Sequence, residues 1–169
     1  MKNVLKWLDD YLEISICVVL MSVMTLLIFI QVIMRYVFSS SLSWSEELAR
    51  YLFIWLIYLG ISYGCKIMKH IKIDAALHLF PKKARPYVML IGDVIFFAFA
   101  IYITVTGFQL CGMQIKLTKT SPAMQLPLQY VYAAPMIGMA LSAIREVQTI
   151  LYRIKMIKLG EDPEKGEDF

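Results

Sequence analysis

Apolar residues in this chain come in long runs, and the charged residues are pushed to the ends of those runs. From Ile14 to Met34 there are 21 residues without a charge. As an α-helix that run would be about 31 Å long, which matches the hydrocarbon core of a bilayer. The second run, Tyr51 to Cys65, has only 15 residues, short for a span on its own. Ser43-Trp44-Ser45-Glu46 ahead of it has the S-x-x-E spacing of a capping box, so the helix is expected to start at Ser43 with a polar, interfacial first turn. Between Arg85 and Lys116 the only charge is Asp93, and Pro86 suits the first position of a helix. Thr120 to Ile144 is again uncharged, with Pro122 near its start and Pro135 inside it, where the missing N–H should kink a helix. The pattern predicts an all-α integral membrane protein with four transmembrane helices, over about 14–34, 44–66, 86–108 and 121–144, in one domain covering 1–158. The acidic end, 159–169, lacks apolar periodicity and is expected to be disordered.

Composition agrees with that pattern. Of 169 residues, 59% are hydrophobic and the mean hydropathy is +0.64, whereas soluble domains have about 45–50% apolar residues. A cleaved signal peptide would carry a shorter apolar stretch, so the first span is expected to remain as an anchor. The net charge of +4 comes from residues spread over the loops, with no aromatic-interleaved basic patch of the kind that binds nucleic acid. Those charges report topology instead. The N-terminus, the 66–86 loop and the C-terminal segment carry 13 Lys and Arg, and the 35–50 and 106–121 loops carry 4. The positive-inside rule then places both termini in the cytoplasm.

Candidate chemistry is sparse. Cys17, Cys65 and Cys111 are far apart and form no CxxC pair, so neither a disulfide framework nor a zinc site is indicated. His70 and His78 fall in a loop and not on facing helices, which argues against a haem site. Asp93 is the one ionisable group inside an expected span. It is read as an intramembrane ion pair with a neighbouring helix or subunit in preference to a proton or cation relay. No cofactor, metal or catalytic group is expected. Gly60 and Gly64 form a GxxxG in the second span, and Ala134, Gly138 and Ser142 repeat small residues every four along the fourth, both signatures of close helix packing. The densest polar group is Glu46, Glu47 and Arg50, with Arg35 across the loop and Trp44, Tyr51 and Trp55 beside it. Glu46 and Arg50 have the i, i+4 order of a helix ion pair. The group is either a headgroup-level anchor or a subunit interface built on aromatic anchors.

The run from Ser43 to Trp55, followed by Gly60, His70-Ile71-Lys72-Ile73-Asp74 and Pro81, resembles the small membrane subunit of TRAP (tripartite ATP-independent periplasmic) transporters, the DctQ-like family. Arg35-Tyr36 before the run, and Leu126-Pro127-Leu128-Gln129-Tyr130-Val131-Tyr132 with Pro135 and Gly138 after it, extend the resemblance over most of the chain. The resemblance implies a non-catalytic scaffold subunit of a sodium-coupled importer of an organic acid, such as a C4-dicarboxylate or sialic acid. It also implies a bacterial inner-membrane location, a large membrane subunit and a periplasmic substrate-binding protein as partners, and membrane lipid as surroundings. A self-sufficient four-helix proton-coupled exporter would need a carboxylate central in the first span, and that span carries no charge. A quinone-linked oxidoreductase would need haem histidines or a cysteine pair.

Overall fold

The computed structural model describes residues 2–40, 42–66 and 84–159. His70, His78, the His70–Asp74 segment, Pro81 and the end 160–169 lie outside the described residues. Among the described residues four helices follow one another: α1 (Lys2–Tyr36), α2 (Ser43–Lys66), α3 (Arg85–Leu117) and α4 (Gln129–Leu159). Three stretches are long and apolar enough to cross a membrane by length and composition: Tyr11–Tyr36, Ser43–Lys66 and Arg85–Leu117.

Local chemistry sets the ends of these helices. α1 closes where Ser39 takes a left-handed φ of 50° and the Ser40 amide returns to the Met34 carbonyl at 3.0 Å. α2 starts at Ser43, as its spacing predicts, but without the reciprocal capping box. The Ser45 hydroxyl donates to the Leu42 carbonyl at 2.8 Å, and Glu46 turns away to α1. α3 carries Pro86 in its first turn and runs on to Leu117, nine residues beyond the expected 108, until Thr118 ends it in the left-handed region. At 33 residues it would be about 50 Å long, more than a bilayer's thickness.

The largest difference from expectation is at the start of α4. Residues 121–128, expected within the fourth span, form a turn, and the helix begins only at Gln129. Pro122 and Pro127 supply no amide hydrogen to a helix. A bridge between Thr120 and Pro127, the Ser121 amide on the Leu126 carbonyl at 2.8 Å, and a left-handed Gln125 stabilise the turn instead. α4 then runs through Pro135 as one helix.

α4 is the central helix, packed between α2 and α3, while α1 packs on α2. Of its buried positions all but Met139, that is Ala134, Gly138, Ser142, Glu146, Thr149 and Arg153, form a stripe of three- and four-residue steps that begins small and ends charged. α1 is peripheral, and its most apolar stretch has no buried residue.

Candidate functional site

Two polar layers cross the bundle. The first joins the end of α1, the start of α2 and the 121–128 turn. Glu46 accepts from Arg35 Nη2 at 2.8 Å and from Gln31 Nε2, so it ties α2 to α1 and does not pair with Arg50. The physical reason is proximity: the last turns of α1 lie over the first turn of α2. This pair is about half exposed, with side-chain exposures of 53% and 42%, and such pairs contribute only about 0–1 kcal/mol.

Glu47 makes stronger contacts. It is buried, and one carboxylate oxygen accepts from the Ala123 and Met124 amides, both at 2.9 Å, while the other accepts from the Tyr51 hydroxyl. A carboxylate accepting backbone amides forms charge-assisted bonds. Two amides that a proline-rich turn leaves outside any helix are thereby satisfied. Trp55 Nε1 donates to the Tyr130 carbonyl at 3.2 Å, fixing the first turn of α4 against α2. Arg35, Glu46, Glu47, Tyr51 and Trp55 are thus engaged within the chain. Trp44 and Arg50 are exposed, and Arg50 has no hydrogen bond or ion pair among the described residues.

The second layer was only partly visible in the sequence. Asp93 on α3 lies 2.7 Å from Arg153 on α4, with exposures of 15% and 7%, an ion-pair approach without hydrogen-bond alignment. Glu146, one turn before Thr149 on the same stripe, lies against Cys65 and within electrostatic reach of Asp93 and Arg153. Glu13, buried near the start of α1's apolar run, accepts from Ser62 at 3.3 Å and from Arg145 at 3.4 Å. Arg145 and Arg153, expected to be flanking charges, are therefore mostly buried structural partners. Spacing alone hid Glu13, Gln31 and Ser121. Glu146 and Arg153 could have been found by continuing the Ala134-Gly138-Ser142 steps.

The two glycine patterns behave differently. A Cβ at Gly138 would lie 2.6 Å from Tyr58 Cβ and 2.8 Å from the Tyr58 carbonyl, so α4 meets the α2 backbone there. Ala134 and Ser142 are fully buried on either side of it. At Gly60 and Gly64 a Cβ would meet nothing within 4 Å. That GxxxG does not pack against any of the described residues.

Comparison with known proteins adds the family. A putative TRAP transporter small permease protein of Haemophilus influenzae is 30% identical over 156 residues, covering 90% of this chain and 95% of that protein. The isethionate TRAP transporter permease protein DctMQ of Oleidesulfovibrio alaskensis is 28% identical over 91% of this chain, which spans only 25% of that protein's length. The sialic acid TRAP transporter permease protein SiaT of Haemophilus influenzae is 38% identical over 82 residues, 48% of this chain and 12% of that protein. The family model described as tripartite ATP-independent periplasmic transporters, DctQ component, matches residues 24–156. With most of its length matched, polar turn and packing stripe included, the chain belongs to the DctQ component family of TRAP transporters.

Proposed function

We propose that the chain is the small, non-catalytic scaffold subunit of a sodium-coupled TRAP importer. It would work in a bacterial inner membrane with a large permease subunit and a periplasmic binding protein, on an organic acid such as a C4-dicarboxylate or sialic acid. The observation that carries the scaffold reading is that the chain's buried charged groups tie its own helices together: Glu13 to Arg145, Asp93 to Arg153, and Glu47 to the 121–128 turn. A charge kept inside a membrane protein marks a pathway or a structural pairing, and these three have a structural use.

The same layers support a span for α2 and for α4, which makes four spans, and the Lys and Arg count supports both termini inside. Glu47 and Cys65 are 18 residues apart on α2, and Gln129 and Glu146 are 17 apart on α4. At helical rise these are about 26–27 Å, close to the hydrocarbon thickness. α4 falls short as an isolated apolar helix because its inner end is polar, and its partners on α2 and α3 match that polarity. Arg50 and Trp44, exposed in front of the Glu46-Glu47 layer, are assigned to the subunit interface, with Arg35, Glu46, Glu47, Tyr51 and Trp55 shaping it from behind.

The test is reconstitution. The purified chain alone in proteoliposomes should move no organic acid, and the complex with its large subunit and binding protein should do so under a sodium gradient. Uptake by the chain alone would overturn the scaffold reading.

A further inference from the structure

One face of α2 is left uncovered by the other helices. Arg50, Phe53, Ile57, Gly60 and Gly64 stand three or four residues apart and so share a side of the helix. Phe53 and Ile57 remain 47% and 41% exposed, and the space above Gly60 and Gly64 is open. This face differs from the other exposed ones. The outer faces of α1 and α3 present bulky uncharged side chains such as Val19, Leu26, Phe29, Ile95, Tyr102 and Phe108, a surface suited to lipid chains. The α2 face instead has two open glycines one turn apart, and about 15 Å further along a guanidinium with no hydrogen bond or ion pair among the described residues. In lipid, bare helix backbone is used for close approach of another helix.

We infer that this face seats one transmembrane helix of the large permease subunit. That helix crosses α2 in contact with Gly60 and Gly64 and offers a carboxylate or carbonyl oxygen to Arg50 at the rim. The inference rests on the functional reading above. The occupant follows from the relatives: the segment that matches this chain makes up 25% of the DctMQ protein and 12% of SiaT. In those proteins the matching segment is part of one much longer permease polypeptide, which makes the rest of that permease the natural occupant of an uncovered face. Open glycines also occur singly on α3, at Gly92 and Gly112, but among the described residues only Gly60 and Gly64 stand one turn apart, so that their bare backbone is continuous.

The experiment uses the full chain co-expressed with its large permease, with a photo-crosslinking residue placed singly at 53, 57, 95 or 26. Positions 53 and 57 should give adducts with the large permease, and positions 95 and 26 should not. In parallel, Gly64→Leu should lower co-purification of the large permease about tenfold, and Gly112→Leu, at an open glycine on α3, should leave it unchanged. A Cβ at either position meets nothing within 4 Å among the described residues, so both variants should purify alone as well as wild type. Adducts from 95 or 26 with none from 53 or 57 would overturn the face while leaving the scaffold reading intact. Adducts between two copies of this chain, or unchanged co-purification of Gly64→Leu, would overturn it as well. Failure of the wild-type chain to co-purify with a large permease would instead remove the functional reading, and this inference with it.

Discussion

Arg153 on α4 lies 2.7 Å from Asp93 on α3, and both side chains are largely removed from solvent. The pair joins the central helix to an outer one at a level where neither residue has a wet alternative. A buried pair of this kind is much costlier to break than to replace, because removing one partner strands the other's charge.

Asp93→Ala is therefore expected to destabilise the purified chain by about 3–5 kcal/mol. Asp93→Leu combined with Arg153→Met should recover most of that loss. Unfolding in detergent, followed by circular dichroism, compares the variants directly. Asp93→Asn should keep sodium-dependent uptake in the assembled transporter with weaker assembly. Normal assembly with lost sodium coupling would make Asp93 an ion site.

Glu47 gives a local prediction. Its carboxylate holds two turn amides and the Tyr51 hydroxyl, and hydrogen bonds to a charged group contribute about 1.5–3 kcal/mol each. Glu47→Ala should speed amide exchange at Ala123 and Met124 by at least about tenfold, with little change in the middle of α3. Glu47→Gln, which keeps a carbonyl acceptor, should have a smaller effect. Unchanged exchange in both variants would show that the turn is held by its own bonds.

The two glycine patterns should separate under a small change. Gly138→Ala forces a methyl against the Tyr58 backbone and should cost about 1–3 kcal/mol, as overpacked cores do. Gly60→Ala meets open space and should leave the isolated chain as stable as wild type or slightly more so. Thermal unfolding of the two variants measures the difference.

Topology is testable by charge-free means. In a background lacking Cys17, Cys65 and Cys111, single cysteines at 116 and 119 should react with a membrane-impermeant thiol reagent in intact cells. A cysteine at 69 should react only after the cells are opened. Leaving out buried Arg145 and Arg153, 11 Lys and Arg remain in the inner segments against 4 in the outer ones, which leaves the expected orientation unchanged. Labelling of position 69 from outside would reverse it.

The helices were largely legible because a membrane helix is written in run length, and α2 begins at the serine its spacing marks. The turn at 121–128 was not. An uncharged run with a proline at either end of its first third reads equally well as helix, and the choice is made by Glu47, 76 residues away from Ala123. The pairing of Glu46 was hidden for a similar reason, since an i, i+4 spacing ignores an arginine on another helix. Asp93 was recognised as a paired group from its position, and its partner was missed because Arg153 looked like a flanking charge. For Gly60 and Gly64 the motif was visible and its use was not, because a recess reads the same whether filled from inside or outside.

The polar inner end of α4 has a consequence for how the chain is made. From Gln129 to Ile144 the helix offers an uncharged stretch of 16 residues, followed by Arg145, Glu146 and Arg153. Each of those three meets a residue on another helix: Glu13 on α1, Cys65 on α2 and Asp93 on α3. A segment of that kind gains little by entering lipid alone. Its insertion thus depends on helices already in place, and the helix made after the other three becomes the centre of the bundle. Chains lacking α3 should accordingly leave α4 accessible to protease, so that a truncated small subunit is exposed to quality control before it can meet any partner.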